Sequence, residues 1–140
     1  MRKVFALGSM FALAFFCAVA LGAQTSDSVG IATDASGQSY LVDSKGMTLY
    51  YFTKDQVGES ACNGNCIKAW PAFYAPTMQV SNPLVASDFG TITRADGSFQ
   101  TTFKGWPLYY WVHDAKPGDT TGQGVGKVWF IIDPSTFPAK

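Results

Sequence analysis

Histidine occurs once in the 140 residues, as His113, and cysteine three times, as Cys17, Cys62 and Cys66. That scarcity removes whole classes of chemistry. A closed structural zinc site takes about four nitrogen or sulfur ligands, and Cys62, Cys66 and His113 leave it short, with only scattered Asp to complete it. No Ser/His/Asp or Cys/His arrangement offers a nucleophile with its base. Charge is sparse as well: Lys, Arg, Asp and Glu make up 14% of the chain, balanced at 10 basic and 10 acidic side chains. Without a basic patch, nucleic acid is excluded as a partner. There is no long charge run and no low-complexity segment. The glycine-rich stretch Pro117–Gly126 lacks the Lys-Ser/Thr ending of a phosphate-binding loop and leads into no helix, which argues against a nucleotide.

Charge is also missing from Val4 to Ala23, where Leu, Phe, Ala and Val dominate behind the basic start Met1-Arg2-Lys3. A basic start, an apolar middle and small residues at the end are the marks of a secretory signal. The run ends in residues too small for a membrane span, so no transmembrane segment is expected in the mature chain. Cleavage fits after Ala20, behind Ala18-Val19-Ala20, or after Ala23, so residues 1–23 read as signal peptide and 24–36 as leader and first strand region. The mature chain then carries 8 basic and 10 acidic side chains, a net charge of −2. A periplasmic or secreted location follows. A minor alternative is a lipid anchor on Cys17, although Ala14 and Phe16 stand where a lipidation site wants Leu and a small residue. Cys62 and Cys66, four residues apart in an exported chain, are expected to form one disulfide. Closing so small a ring contributes only about 2 kcal/mol, enough to stiffen a loop.

What is abundant is aromatic character, and it repeats. Sliding residues 39–70 by 59 positions onto 98–129 gives 9 identities in 32 gap-free positions, where roughly two are expected by chance. Leu49-Tyr50-Tyr51 meets Leu108-Tyr109-Tyr110, Asp55 meets Asp114, and Trp70 meets Trp129. The composition of each unit is β-forming. Ser39–Asp43 and Met47–Thr53 read as strands about the turn Ser44-Lys45-Gly46, and Thr91–Arg94 and Ser98–Phe103 as strands about Ala95-Asp96-Gly97. Trp106–Val112, with Pro107 at its start, and Lys127–Asp133 read as further strands, residues 62–69 as a short helical turn, and Pro76 to Pro83 as a connector. The expected fold is mainly β: a small single domain of two pseudo-repeated antiparallel β units, with a short helical turn and long loops, over 37–133. Residues 134–140 read as a C-terminal tail, frayed from Ser135.

Each unit contains Tyr-x-aromatic-x-x-Asp, as Tyr50-Tyr51-Phe52-Thr53-Lys54-Asp55 and Tyr109-Tyr110-Trp111-Val112-His113-Asp114. With Cys62-Asn63-Gly64-Asn65-Cys66 before Trp70-Pro71, with Arg94-Ala95-Asp96-Gly97, with Lys104-Gly105-Trp106-Pro107-Leu108-Tyr109, and with the 117–124 loop, the chain resembles the predicted bacterial lipoproteins named for that motif, also called a secreted repeat of unknown function. The resemblance spans roughly residues 37–133 and implies an exported envelope protein without an assigned biochemical role. Cys17 is where the chain departs from the lipoprotein part of that name.

Several side chains are candidates for function. Tyr50, Phe52, Trp106, Tyr109 and Trp111, with Asp55 and Asp114, are the motif residues through which a ligand would be held. An aromatic platform for a sugar, a peptidoglycan fragment or an aromatic ligand requires Tyr51, Tyr110, Trp106 or Trp111 to share one exposed patch. The bland reading is core packing. Asp55 and Asp114 could pair as in glycoside cleavage, but equivalent places in two repeats fit turn-capping carboxylates better. The role expected is a non-catalytic envelope or secreted protein, a binding or structural module for an envelope component or partner protein, with no cofactor and no metal. The alternative is a redox or metal-handling periplasmic protein that uses Cys62 and Cys66 with His113, or copper on His113 with Met47 or Met78.

Overall fold

The computed structural model describes residues 28–138. The signal segment and Cys17 lie outside the described residues. The chain is mainly β, built as two related units whose hairpins correspond one to one. Strands β1 (Val29–Thr33) and β2 (Ser39–Asp43) form the first hairpin. β4 (Phe89–Thr93) and β5 (Phe99–Phe103) form its counterpart. Their turns are the same object: Asp34 N–H donates to the Gln38 carbonyl and Gly37 N–H to Asp34, while Arg94 N–H donates to Ser98 and Gly97 N–H to Arg94. Gly37 and Gly97 stand at φ 88° and 84°, where a side chain would be strained.

The repeat is offset by 60 residues in these hairpins, since Thr33 pairs with Ser39 as Thr93 pairs with Phe99. It is offset by 59 from the motif onward. The match of Ser39 to Ser98 and Tyr40 to Phe99 is therefore one position out of register. The physical reason is the strand's period of two, by which a one-residue slip exchanges faces. Tyr40 is buried, whereas Phe99 is 52% exposed, and the true counterparts Leu41 and Thr101 are both fully buried.

The two units exchange their closing segments. β3 (Tyr50–Phe52) of the first unit pairs with β7 (Trp129–Ile131) of the second. In return, residues of the second unit bond the end of the first: Tyr110 N–H donates to the Pro71 carbonyl, Phe73 N–H to Leu108 and Val112 N–H to Ala69. Leu41 N–H donates to the Ile132 carbonyl as Thr101 N–H donates to Phe73. Neither half can complete its own backbone pairing.

That exchange explains why several strands are shorter than the sequence suggests. Trp106–Val112 shrinks to β6 (Trp106–Pro107), because Leu108, Tyr109 and Tyr110 donate to three different segments, at Thr101, Tyr50 and Pro71. Met47–Thr53 shrinks to β3, with an isolated bridge between Val42 and Thr48. Lys127–Asp133 starts late because a 3-10 turn, Val125–Lys127, precedes β7, with Gly124, Gly126 and Lys127 all at positive φ. The expected helical turn is α1 (Asn65–Ala69), which stops before Pro71. No helix among the described residues is long and apolar enough to cross a membrane.

Two apolar clusters result. One gathers Val29, Leu41, Leu49, Phe73, Phe103, Leu108, Ile132 and Phe137. The other gathers Tyr50, Cys62, Trp70, Tyr109 and Trp129. Phe137 corrects the expectation of a frayed tail from Ser135. It is 6% exposed and packs edge-on against Tyr51 at 4.9 Å and tilted against Phe103 at 5.7 Å. Burial of an aromatic ring outweighs the ordering cost of a short terminal segment.

The exchanged segments make a prediction. Fragments 28–85 and 86–138, divided beside the exposed Val85, are each expected to lack fixed near-UV circular dichroism alone and to regain it on equimolar mixing. A first fragment that folds alone would contradict the exchange.

Candidate functional site

The repeated motif meets itself at the centre of the molecule. Tyr50 N–H donates to the Tyr109 carbonyl at 2.9 Å, and Tyr109 N–H donates to Tyr50 at 3.0 Å. Each hydroxyl then crosses to the other copy's carboxylate. Tyr50 OH donates to Asp114 Oδ2 at 2.6 Å, and Tyr109 OH donates to Asp55 Oδ2 at 2.7 Å. Reciprocal contacts of this form are the signature of a twofold relation. The remaining carboxylate oxygens close the loops that follow. Asp55 Oδ1 accepts the Ala61 N–H at 2.7 Å, and Asp114 Oδ1 accepts the Thr121 N–H at 2.9 Å and hydroxyl at 2.6 Å. Both oxygens of both carboxylates are thus engaged within the protein, in the turn-closing role that symmetric placement suggested.

Both motif tyrosines are fully buried. Burial, together with the carboxylate each one faces, pushes their hydroxyls far above the usual phenol range, so they act as donors and stay neutral. Burial also raises Asp55, and the Ala61 N–H, the Tyr109 hydroxyl and the Arg94 charge offset this only in part.

An aromatic column runs beside the tyrosines. Phe52 stacks on Trp129 at 4.2 Å, Trp129 on Trp70 at 3.9 Å, and Trp70 on Trp111 at 4.1 Å. Its order is palindromic, since Trp70 corresponds to Trp129 and Phe52 to Trp111. Tyr50 meets Trp70, and Tyr109 meets Trp129, edge-on at 5.4 and 5.0 Å. Gly122 passes so close to this wall that a Cβ there would lie 2.9 Å from the rings of Trp70 and Tyr50.

Of the residues singled out in the sequence, Tyr50, Tyr109, Asp55 and Asp114 come together at the twofold, and Phe52 and Trp111 end the column. Trp106 stands apart in the other cluster, edge-on to Tyr51 at 5.8 Å. Trp106 and Trp111 are only partly buried but belong to different clusters, so the four rings named for a platform do not share one patch. Cys62 and Cys66 are joined as a disulfide, and His113 lies edge-on to Trp111 at 4.8 Å. Among the described residues no three His, Cys, Asp or Glu side chains come together as a metal site requires.

Arg94 is the residue the sequence did not announce. It is 5% exposed and replaces Asp34 of the first repeat. Its guanidinium donates to Ser60 Oγ at 2.9 Å, to Asn63 Oδ1 at 3.4 Å, to Gln100 Oε1 and to the Cys62 carbonyl. Ser60 Oγ in turn lies 2.6 Å from the Tyr109 hydroxyl. Arg94 ties the disulfide loop to one Tyr–Asp pair. An Arg just before Ala-Asp-Gly reads as a surface residue, and only the tertiary contacts show otherwise.

Two clefts, each of about 340 Å³, lie outside this centre, and none of the crossed Tyr and Asp side chains lines them. They occupy corresponding places: Asp88, Phe103, Asp133, Pro134 and Ser135 line one where Ser28, Asp43, Tyr74, Ala75 and Pro76 line the other. The first is acidic, with Ile31, Pro83 and Leu84 completing an apolar floor. The second is aromatic, with Phe73, Tyr110 and Lys45 added. Tyr110 OH donates to Asp43 Oδ2 at 2.8 Å there.

These contacts fix expected outcomes. Tyr109→Phe should lower stability by about 1–2 kcal/mol, and Asp55→Ala by about 3 kcal/mol because it leaves the Tyr109 hydroxyl and Ala61 N–H unpartnered and Arg94 uncompensated; urea unfolding measures both. Gly122→Ala should cost about 1–3 kcal/mol through overpacking, seen in the same assay. Because burial raises the folded pKa of Asp55 above the ordinary carboxylate value, its contribution to stability is present below that ordinary value and lost as pH rises through the folded pKa. Wild-type stability minus that of Asp55→Asn should therefore fall with rising pH across that window; a rise would contradict the assignment.

A family model described as a secreted repeat of unknown function matches the chain twice, over residues 30–73 and 90–133. No curated protein and no solved structure matches. The two matched segments are the two units seen in the fold, offset by the 60 residues of the hairpins. The chain belongs to the family described as a secreted repeat of unknown function.

Proposed function

We propose that this chain is an exported, non-catalytic binding module: a twofold aromatic frame that presents two clefts of unlike chemistry to an envelope component or partner protein. The carrying observation is that the motif side chains are saturated internally while the two clefts sit at corresponding places with diverged linings. Duplication supplies two copies of a backbone concavity, and substitution at five matched positions gives each its own chemistry. Clefts of this size fall in the range that small ligands fill. Tyr50, Tyr109, Asp55 and Asp114 hold the frame, with Phe52 and Trp111 closing the column. Ligand contact falls to the periphery. The aromatic cleft suits a sugar or a peptidoglycan fragment. Tyr74 is 42% exposed and pairs with the exposed Phe99 at 5.7 Å, offering a ring face beside Lys45. Export rests on the charge-free segment 4–23 and on the family's description as secreted.

The mature protein, isotope-labelled and titrated with glycan and peptidoglycan fragments and envelope extracts, should show shifts clustered at Tyr74 and Tyr110 or at Leu84 and Phe103. Tyr74→Ala should weaken binding at the aromatic cleft by about tenfold while changing stability by no more than about 0.5 kcal/mol. Shifts absent from both clefts with every fraction would overturn the reading.

A further inference from the structure

The acidic cleft has an apolar floor of Ile31, Leu84 and Phe103 and two carboxylates, Asp88 and Asp133, and no basic side chain lines it. The two acids play different parts. Asp133 is fully engaged: Oδ1 accepts the Ser135 N–H at 2.9 Å and hydroxyl at 2.6 Å, and Oδ2 accepts Gln38 Nε2 at 3.0 Å. It is a fixed negative charge. The Asp88 carboxylate has no hydrogen-bond partner among the described residues, and it enters the fold through its backbone, whose carbonyl accepts the Lys104 N–H at 2.7 Å. Lys104, the basic residue next to Phe103, is committed elsewhere. Its Nζ donates to the Phe137 carbonyl at 2.8 Å and stands 5.3 Å from the Phe103 ring centroid. The one ion pair among the described residues is Lys116 with Asp119, away from this cleft. In the corresponding cleft of the other repeat, Ser28 and Tyr74 replace the two acids, and its single carboxylate, Asp43, is matched by Lys45 in the same lining and engaged by the Tyr110 hydroxyl. Two carboxylates without a basic side chain in the lining are therefore peculiar to this copy.

Resting on the binding-module reading above, we infer that the acidic cleft takes a small ligand with a protonated primary amine on an apolar stem. The stem lies on Ile31, Leu84 and Phe103, and the ammonium donates to the open Asp88 carboxylate in the field of Asp133. Charge complementarity fixes the sign of the ligand, because an anion would face two uncompensated carboxylates. The apolar floor fixes its body, because a small hydrated cation would leave that floor unfilled. The same chemistry is offered by a free alkylamine and by a lysine side chain displayed on a peptide.

Titration of the labelled mature protein with n-hexylammonium, hexan-1-ol and hexanoate tests this, with Gly-Lys-Gly as a fourth probe. Hexylammonium should shift Leu84, Phe103 and Ser135 and bind at least about fivefold more tightly than hexanol. Asp88→Asn, whose side chain holds no internal bond, should remove most of that difference and leave the near-UV spectrum unchanged. Gly-Lys-Gly binding as tightly as hexylammonium assigns the source to a displayed side chain, and weaker binding assigns it to a free amine. Equal affinity for hexanol, or no effect of Asp88→Asn, overturns the inference. If hexylammonium leaves the acidic cleft unshifted while envelope extracts shift either cleft, the amine inference falls and the module stands. If neither cleft responds to anything, both fall.

Discussion

Two tyrosine hydroxyls, each crossing to the carboxylate of the other repeat, hold the rest of this structure in place. Tyr50 reaches Asp114 and Tyr109 reaches Asp55, while their backbones bond each other across the same axis. A buried phenol without an acceptor, or a buried carboxylate without donors, carries a desolvation cost of a few kcal/mol. Reciprocal pairing removes that cost for all four groups at once. The carboxylates then close the loops leading to Ala61 and Thr121, and those loops bring Trp70 and Trp129 into the column. The loops therefore inherit their position from the Tyr–Asp pairs.

The same arrangement separates scaffold from binding surface. A six-residue motif present twice invites a functional interpretation, yet its polar atoms face each other. Perfect symmetry would also give two identical clefts. Arg94 in place of Asp34, and Asp88 with Asp133 in place of Ser28 with Tyr74, show where the copies were free to diverge. One side acquired a buried cation that ties down the disulfide loop. The other side kept an exposed hairpin turn in which Asp34 caps Ser36 and Gln38.

The duplication, the mainly β character, the helical turn before Pro71 and the Cys62–Cys66 pairing were legible in the sequence, because each has a local cause: periodicity, turn chemistry or close spacing. The register of the hairpins was not. A gap-free offset of 59 scores Ser39 against Ser98, but the strand pairing requires 60, since Thr33 faces Ser39 as Thr93 faces Phe99, and at 60 the buried Tyr40 meets buried Gln100 instead of exposed Phe99. The packing of the tail is hidden from the sequence for a related reason. Phe137 looks terminal in sequence, and only its contact with Tyr51 and Phe103 makes it core.

What the sequence determined alone is therefore what short-range physics can specify: which segments extend, where they turn, and that one unit occurs twice. Tertiary structure decided which copy each segment serves. Strand propensity cannot say that β3 will pair with β7 instead of with residues 70–72 of its own repeat, because both partners present the same backbone groups. The choice is made by closure, since exchanging the ends buries both tyrosines and stacks Phe52, Trp129, Trp70 and Trp111 in one column. Those contacts are absent from either half, so no local pattern in either half could record them.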